Sequence, residues 1–183
     1  MKARMFNRQA SDPQSKPDDI LKALALQPGQ SVADLGAGGG YFSLRFAEEV
    51  GAQGRVYALD TDSGKIEFMK KSIAEEGVGN IEVVLVGKDD VTLPERVDLI
   101  FLRNVYHHIS NRVQYFSKLQ RYLKLNGRVA IVEHKSGGGF HSLFEHRVSS
   151  EAIIDEMTRA GYLLAESLDM LPKQSFIIFS LNK

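Results

Sequence analysis

The stretch Val32-Ala-Asp-Leu-Gly-Ala-Gly-Gly-Gly-Tyr-Phe-Ser43 decides the fold, because it places four glycines between a predicted strand and a predicted helix. Residues 31–35 are typical of a buried strand, and residues 41–50 predict a helix that buries Phe42 and Phe46. A glycine loop at such a junction lets a ligand approach backbone N–H groups. The stretch therefore predicts the first strand, loop and helix of a ligand-binding α/β domain.

Outward from this loop, short apolar runs alternate with segments of helical period, which is typical of a parallel sheet covered by helices. Further strands are predicted at 55–59, 81–86, 97–102, 128–132, 162–167 and 176–180, and a turn at Asn126–Gly127. Further helices are predicted to start at Pro17, at Asp62 or Ser63, at Asn111 and near Ser150. No helix joins the last two strands, so they should pair antiparallel at or near one edge of the sheet.

Composition limits the classes of function. The chain has 183 residues, no cysteine, and 23 basic against 23 acidic side chains. Residues 1–15 are predicted to be a flexible arm and residues 16–183 a single domain. The absence of cysteine excludes disulfides, thiolate metal sites and a thiol nucleophile. Zero net charge argues against nucleic-acid binding, and the lack of a long apolar stretch predicts a cytoplasmic protein without a membrane span.

Two common phosphate-binding loops do not fit the glycine stretch. A dinucleotide fingerprint requires a third glycine at position 41, where this chain has Tyr41. A P-loop would continue into Gly-Lys-Ser or Gly-Lys-Thr, which is absent here. These differences argue against a nicotinamide dehydrogenase and a P-loop nucleotidase.

Acidic residues at the predicted strand ends favour a cationic nucleoside. Asp34, two residues before the first glycine, would attract an ammonium or sulfonium group. Asp60 ends the second strand, where a carboxylate can accept hydrogen bonds from both ribose hydroxyls. Asp89 and Asp90 follow the third strand and can accept from an adenine amino group.

Together these features resemble the class I S-adenosylmethionine-dependent methyltransferases, of the small, minimal-domain, UbiE-like type. The resemblance runs from about Pro17 to Phe179. Its carriers are VADLGAGGGYFS, VYALD, VDLIFLRNVYHHI, YLKLNGRVAIVEH, GGGFHSLFEHRVSSE and AGY…LP…FIIF. It implies a Rossmann-like doubly wound sheet of seven mostly parallel strands in the order 3-2-1-4-5-7-6, with strand seven antiparallel and helices on both faces.

The resemblance also implies the residues that bind S-adenosylmethionine and its product S-adenosylhomocysteine. The glycine loop would hold the methionine part, the end of strand two the ribose, and the loop after strand three the adenine. The implied cofactor-binding residues are Asp34, Gly36, Ala37, Gly38, Gly40, Asp60, Thr61, Gly87, Lys88, Asp89, Asp90 and Asn104. Gly39 stands where the family often has threonine. The family's Gly-Asp pair appears as Gly87-Lys88-Asp89-Asp90, so whether Asp89 or Asp90 meets adenine stays open.

All five histidines lie between positions 107 and 146, beyond the predicted cofactor half. A histidine suits the base that methyl transfer to a hydroxyl or protonated amine requires. The candidate catalytic residues are Tyr106, His107, His108 and His134, and the candidate substrate-binding residues are Glu133, His146 and Arg147. Tyr106 and Glu133 are also candidates for orienting the base. The competing interpretation is that Tyr106 and one of the paired histidines only pack against the cofactor or the next helix. The glycine-rich segment 137–144 could close over a substrate. The spacing of these residues matches no compact metal-ligand motif.

The predicted activity is methyl transfer to oxygen, nitrogen or an activated carbon of a small molecule. Cytosine C5 and arsenic methyltransferases act through cysteines, which this chain lacks. Asn104-Val105-Tyr106 also departs from the Asp/Asn-Pro-Pro-Tyr/Phe motif of enzymes that methylate amino groups of nucleic acids. A cofactor-binding module or partner subunit without catalysis is the alternative. Protein or RNA methylation is less favoured, and a homodimer is an open possibility.

Overall fold

Seven strands form one sheet in the computed structural model, which describes residues 2–89, 91–135 and 148–182. The strands are β1 (Ser31–Leu35), β2 (Arg55–Asp60), β3 (Ile81–Leu85), β4 (Val97–Arg103), β5 (Leu123–His134), β6 (Tyr162–Leu168) and β7 (Gln174–Leu181). Their order is β3-β2-β1-β4-β5-β7-β6. β7 runs antiparallel to both of its neighbours, and the other pairs are parallel. The predicted sheet order and the antiparallel seventh strand are confirmed.

Helices cover both faces of the sheet because the central strands are buried on both sides. The helices are α1 (Lys2–Ser11), α2 (Pro17–Leu24), α3 (Tyr41–Val50), α4 (Ser63–Glu76), α5 (Arg112–Leu119) and α6 (Ser150–Arg159). Alternate strand residues point to opposite faces. Phe101 of β4 packs in the cluster that contains side chains of α2 and α3. Its neighbour Leu102 packs in the cluster that contains side chains of α5 and α6. The doubly wound architecture is confirmed.

The fifth strand differs from its prediction. Asn126–Gly127 predicts a turn before a strand at 128–132, but β5 begins at Leu123 and continues through both residues. A register shift against β4, between Val97 and Leu99, accommodates the additional residues. The predicted start of this strand is therefore corrected, and residues 124–127 lie in the register shift between the paired Leu123 and Arg128.

The first residues also differ from their prediction. The polar segment 1–15 predicts a flexible arm, whereas residues 2–11 form α1, which packs on α3 and α4. Ala3 and Ala10 are buried, and Phe6 lies on the same side at helical spacing. The predicted boundary at residue 16 is corrected, because α1 packs against the domain.

Some predictions fall outside the described residues. These are the segment 137–144 that was expected to close over a substrate, together with Asp90, His146 and Arg147. Among the described helices, none combines the length and apolar character that a membrane span requires.

Candidate active site

A cavity of about 570 Å³ opens at the carboxyl ends of the parallel strands. It lies where the strand order reverses between β1 and β4, which is where open α/β sheets bind ligands, and its volume is typical of a ligand site. The predicted site residues that line it are Asp34, Gly36, Ala37, Gly38, Asp60, Thr61, Gly87, Lys88, Asn104, His107, His108 and His134. The lining also contains residues that the sequence did not predict, among them Phe6, Asn7, Lys65 and Arg103.

Asp34 is a buried carboxyl at the end of β1, with only 3% of its surface exposed. The hydroxyl of Ser43 donates a hydrogen bond to it at 2.6 Å. Burial raises the pKa of Asp34 to about 7, and Asp60 adds to the increase, while the bond from Ser43 opposes it. A ligand cation beside Asp34 would favour the charged carboxylate. Asp34 therefore fits the predicted contact with an ammonium or sulfonium group.

Asp60 is equally buried at the end of β2 and is held by the surrounding loop. Its carboxylate accepts hydrogen bonds from the backbone N–H of Gly38 and of Asp62, each at 3.0 Å. The ammonium of Lys65 lies 3.2 and 3.3 Å from the two oxygens. These contacts occupy the roughly four acceptor positions of a carboxylate. Ribose hydroxyls would therefore have to replace the Lys65 ammonium at Asp60.

The glycine loop provides space rather than free donors. The backbone N–H groups of Gly36 and Ala37 donate to the Leu59 carbonyl at 2.8 and 2.9 Å. Gly36 has a φ of +77°, and a Cβ atom there would overlap the side chain of Val105. The sequence predicts that a ligand approaches backbone N–H groups of this loop, but those of Gly36 and Ala37 already donate to β2.

Helix α1 forms a wall of the cavity through Asn7. The Asn7 side chain donates to the Gly39 carbonyl at 3.0 Å and accepts from the Tyr41 N–H at 3.2 Å. A Cβ atom on Gly39 would overlap the Asn7 side chain and come within 2.5 Å of the Ala3 carbonyl oxygen. Gly39, which replaces the family's usual threonine, was the sequence signal for this close approach.

His107 and Glu133 form a pair at the opposite end of the cavity from β2. The Nδ1 atom of His107 lies 2.9 Å from Glu133, whose exposed fraction is 1%. A carboxylate only accepts hydrogen bonds, so this contact places the proton on Nδ1 and leaves Nε2 to meet a substrate. The ring of His108 lies 3.9 Å from that of His107, and His134 follows Glu133 on β5. The predicted histidine cluster is therefore brought together.

Two predicted residues of this group have other roles. Tyr106 is completely buried, stacks on Phe116 and donates to Glu156 at 2.6 Å. It lies outside the cavity lining in the described part of the chain, so the prediction of a catalytic role is corrected. Glu133 is also buried behind the lining. It orients His107, and its predicted contact with a substrate is corrected.

The remaining predicted cofactor residues divide into three cases. Gly40 lies outside the described lining and begins α3 with a φ of +85° against Met69, so its glycine serves the helix start. Asp89 is exposed and also outside that lining, whereas Gly87 and Lys88 belong to it. Asn104 adopts a φ of +55° and accepts from Gln174 at 2.7 Å. Such backbone strain in a residue other than glycine is concentrated at functional sites.

Comparisons with known proteins agree with this geometry. The model of a family described as "Methyltransferase domain" matches residues 26–169. The ubiquinone/menaquinone biosynthesis C-methyltransferase UbiE of Hydrogenovibrio crunogenus is 26% identical over 164 residues, which are 84% of this chain and 64% of that protein. The chain spans about half to two thirds of the length of such curated relatives.

Solved structures share the fold at low sequence identity. A SAM-dependent methyltransferase from Aquifex aeolicus superposes with a TM-score of 0.88 at 20% identity, over 98% of this chain and 97% of that one. The [4+2]-cyclase SpnF superposes with a TM-score of 0.71 at 17% identity, over 84% of this chain and 60% of that one. The family match, together with buried acids that suit a cationic nucleoside, establishes that the chain belongs to the class I S-adenosylmethionine-dependent methyltransferase family.

Proposed function

We propose that this protein transfers the methyl group of S-adenosylmethionine to a small-molecule acceptor, with His107 as the base. The observation that carries the proposal is the His107–Glu133 pair at 2.9 Å, since His107 lines the same cavity as Asp34 and Asp60. A base is useful only where an acceptor loses a proton during transfer. The acceptor atom is therefore a hydroxyl or amine, or a carbon that bears an acidic C–H bond.

The cofactor half of the cavity is formed by β1, β2 and the loop after β3. Asp34 would meet the positive charge, Asp60 the ribose, and Gly87 with Lys88 the adenine ring. The bound cofactor supplies a methyl group on a sulfonium, which the acceptor attacks while the bonding pair stays on sulfur. The residues of this half hold the donor in place, since alignment of the reacting atoms accounts for much of the rate increase.

The acceptor half is formed by the ends of β4 and β5. Glu133 holds the Nδ1–H of His107, so the ring presents the lone pair of Nε2 to the acceptor. His107 takes the proton that the acceptor loses, and Glu133 stabilises the resulting imidazolium through its negative charge. His108 and His134 lie beside this base and line the same cavity.

Two observations narrow the acceptor. The cavity of about 570 Å³ must hold both the cofactor and the acceptor, which favours a small molecule. The matched relative is named a C-methyltransferase of ubiquinone/menaquinone biosynthesis. An activated carbon, such as one on an electron-rich ring, is therefore the first acceptor class to test, followed by phenols and amines.

The test is transfer of labelled methyl from S-adenosylmethionine to a panel of these acceptors. His107→Gln should lower kcat by about 10²- to 10⁴-fold while the Kd for S-adenosylhomocysteine stays unchanged. Glu133→Gln should cause a smaller loss in the same direction. Glu166→Gln, which alters an exposed carboxylate on β6, is the matched control and should retain full activity.

Two results would contradict the proposal. Transfer that His107→Gln leaves unchanged would refute the role of the base. Cofactor binding without transfer to any panel member or to any metabolite of a cell extract would favour a non-catalytic cofactor-binding module instead.

A further inference from the structure

Arg103 carries a buried hydrogen-bond donor that the described residues leave unused. It is the last residue of β4 and lines the cavity. Its Nη2 donates to the Ser15 hydroxyl at 3.1 Å, and the guanidinium lies 5.7 Å from the centre of the Phe42 ring. The Nε atom is buried without a hydrogen-bond partner in the described part of the chain. An unsatisfied buried donor costs free energy. Arg103 would therefore gain a hydrogen bond from a ligand oxygen that enters the cavity.

Asp34 lies on the strand next to that of Arg103, and both residues line the cavity. β1 and β4 are adjacent parallel strands, with Asp34 paired to Phe101, two residues before Arg103. Burial raises the pKa of Asp34 and lowers the pKa of Arg103, because it disfavours both charges. The attraction between the two side chains acts in the opposite direction on each pKa. The cavity therefore presents a carboxyl and a guanidinium from two adjacent strands.

This pair of charges matches one part of the cofactor. The methionine end of S-adenosylmethionine carries an ammonium and a carboxylate on the same carbon. Asp34 suits the ammonium, whereas a carboxylate beside Asp34 alone would be repelled. A guanidinium binds a carboxylate through two parallel N–H donors, which a lysine ammonium cannot reproduce.

From these contacts we propose that Arg103 binds the α-carboxylate of the cofactor, so that Asp34 and Arg103 together recognise its amino-acid end. The proposal rests on the proposed use of S-adenosylmethionine and deepens it. It makes Arg103 a residue that distinguishes the complete cofactor from nucleosides that lack the carboxylate. The contact with Ser15 also places the segment after α1 against the same end of the cofactor.

The test compares S-adenosylmethionine with its decarboxylated form, two ligands that differ in one carboxylate. Calorimetry should show that the wild-type protein binds the complete cofactor about tenfold to a hundredfold more tightly, the range of charge-assisted hydrogen bonds. Arg103→Met should abolish or reverse this preference while the affinity for the decarboxylated form stays within about twofold. Arg103→Lys should keep part of the preference, because it retains the charge without the planar fork.

Lys88→Met is the matched control, since it removes one positive charge from the same cavity at the predicted adenine side. It should leave the preference between the two ligands unchanged. Circular dichroism and thermal melting check that each variant is folded, and Arg103→Lys keeps the test valid if Arg103→Met does not fold.

Three outcomes would overturn the assignment. The first is an Arg103→Met protein that retains the wild-type preference. The second is an equal loss of affinity for both ligands, which indicates a structural role. The third is unchanged cofactor binding with a raised KM for the acceptor, which places Arg103 on the acceptor instead. A wild-type protein that binds neither ligand would contradict the proposed function itself.

Discussion

The proposed contact between Asp34 and the cofactor predicts that cofactor binding depends on pH. Burial raises its pKa from 3.8 to about 7, so at acidic pH the carboxyl is protonated in the folded protein. The resulting contribution to folding stability is fully present below the unfolded pKa and is lost as pH rises through the folded pKa of about 7. A ligand cation needs the ionised carboxylate, so binding must release the proton that the free protein holds.

We therefore predict that affinity for S-adenosylhomocysteine rises by up to about tenfold per pH unit between roughly pH 5.5 and 7. Isothermal calorimetry in buffers of different ionisation enthalpy should detect the released proton. Three histidines, His107, His108 and His134, line the same cavity. Asp34→Asn is therefore the matched variant, because it should remove only the part of the pH dependence that belongs to Asp34. A pH dependence that survives unchanged in Asp34→Asn would contradict the prediction.

Asp60 is the residue proposed to bind the ribose, so its removal should have a measurable cost. Asp60→Asn should weaken cofactor binding by about 1.5 to 3 kcal/mol, the range for a hydrogen bond to a charged group. Asp155→Asn on α6 changes an exposed carboxylate away from the cavity and serves as the control. Equal calorimetric affinities for Asp60→Asn and wild type would refute the ribose role.

At the scale of elements, the docking of α1 depends on the missing side chain of Gly39. Gly39→Thr should push α1 off the glycine loop, because its Cβ atom would overlap Asn7 and the Ala3 carbonyl. Overpacking of this kind costs about 1 to 3 kcal/mol. Hydrogen exchange of residues 2–11 should become faster, and cofactor affinity should fall because Phe6 and Asn7 leave the cavity wall.

Gly79→Ala is the control for this variant, since a Cβ atom there would meet open space. Asn7→Ala should reproduce part of the effect through the loss of two hydrogen bonds. Unchanged exchange over residues 2–11 in Gly39→Thr would show that α1 does not depend on this contact.

The elements that the sequence predicted are those with strong apolar periodicity. β1 is buried along its length and follows from its composition, and the sheet order follows from the family resemblance. The strand ends also correctly placed Asp34 and Asp60 at the cavity, because the carboxyl ends of parallel strands share one edge.

The parts that the sequence did not predict depend on contacts between distant residues. Helix α1 is polar overall, and its place in the site depends on Asn7, which pairs with a loop 32 residues away. Tyr106 is next to His107 in the sequence, yet its side chain lies in the core, where it stacks on Phe116 of α5 and donates to Glu156 of α6. Sequence spacing alone does not reveal on which side of a short helix the partners lie.

At the scale of the whole molecule, the reversal of strand order divides the carboxyl edge of the sheet into a proposed cofactor half and a proposed acceptor half. β1, β2 and the loop after β3 supply the acids and the predicted adenine side, whereas β4 supplies Arg103 and the segment after β4 supplies His107 and His108. The same architecture supports other reactions, so the activity follows from these side chains rather than from the sheet. A homodimer, a cytoplasmic location and the lack of nucleic-acid partners stay predictions, which sedimentation, cell fractionation and electrophoretic binding assays would check.

The most direct test of the two-sided site is a crystal structure of the protein with S-adenosylhomocysteine. The account predicts ribose at Asp60, the amino-acid end between Asp34 and Arg103, and the sulfur facing the side of the cavity that His107 lines. Ligand density outside this cavity, or a sulfur turned away from His107, would contradict it.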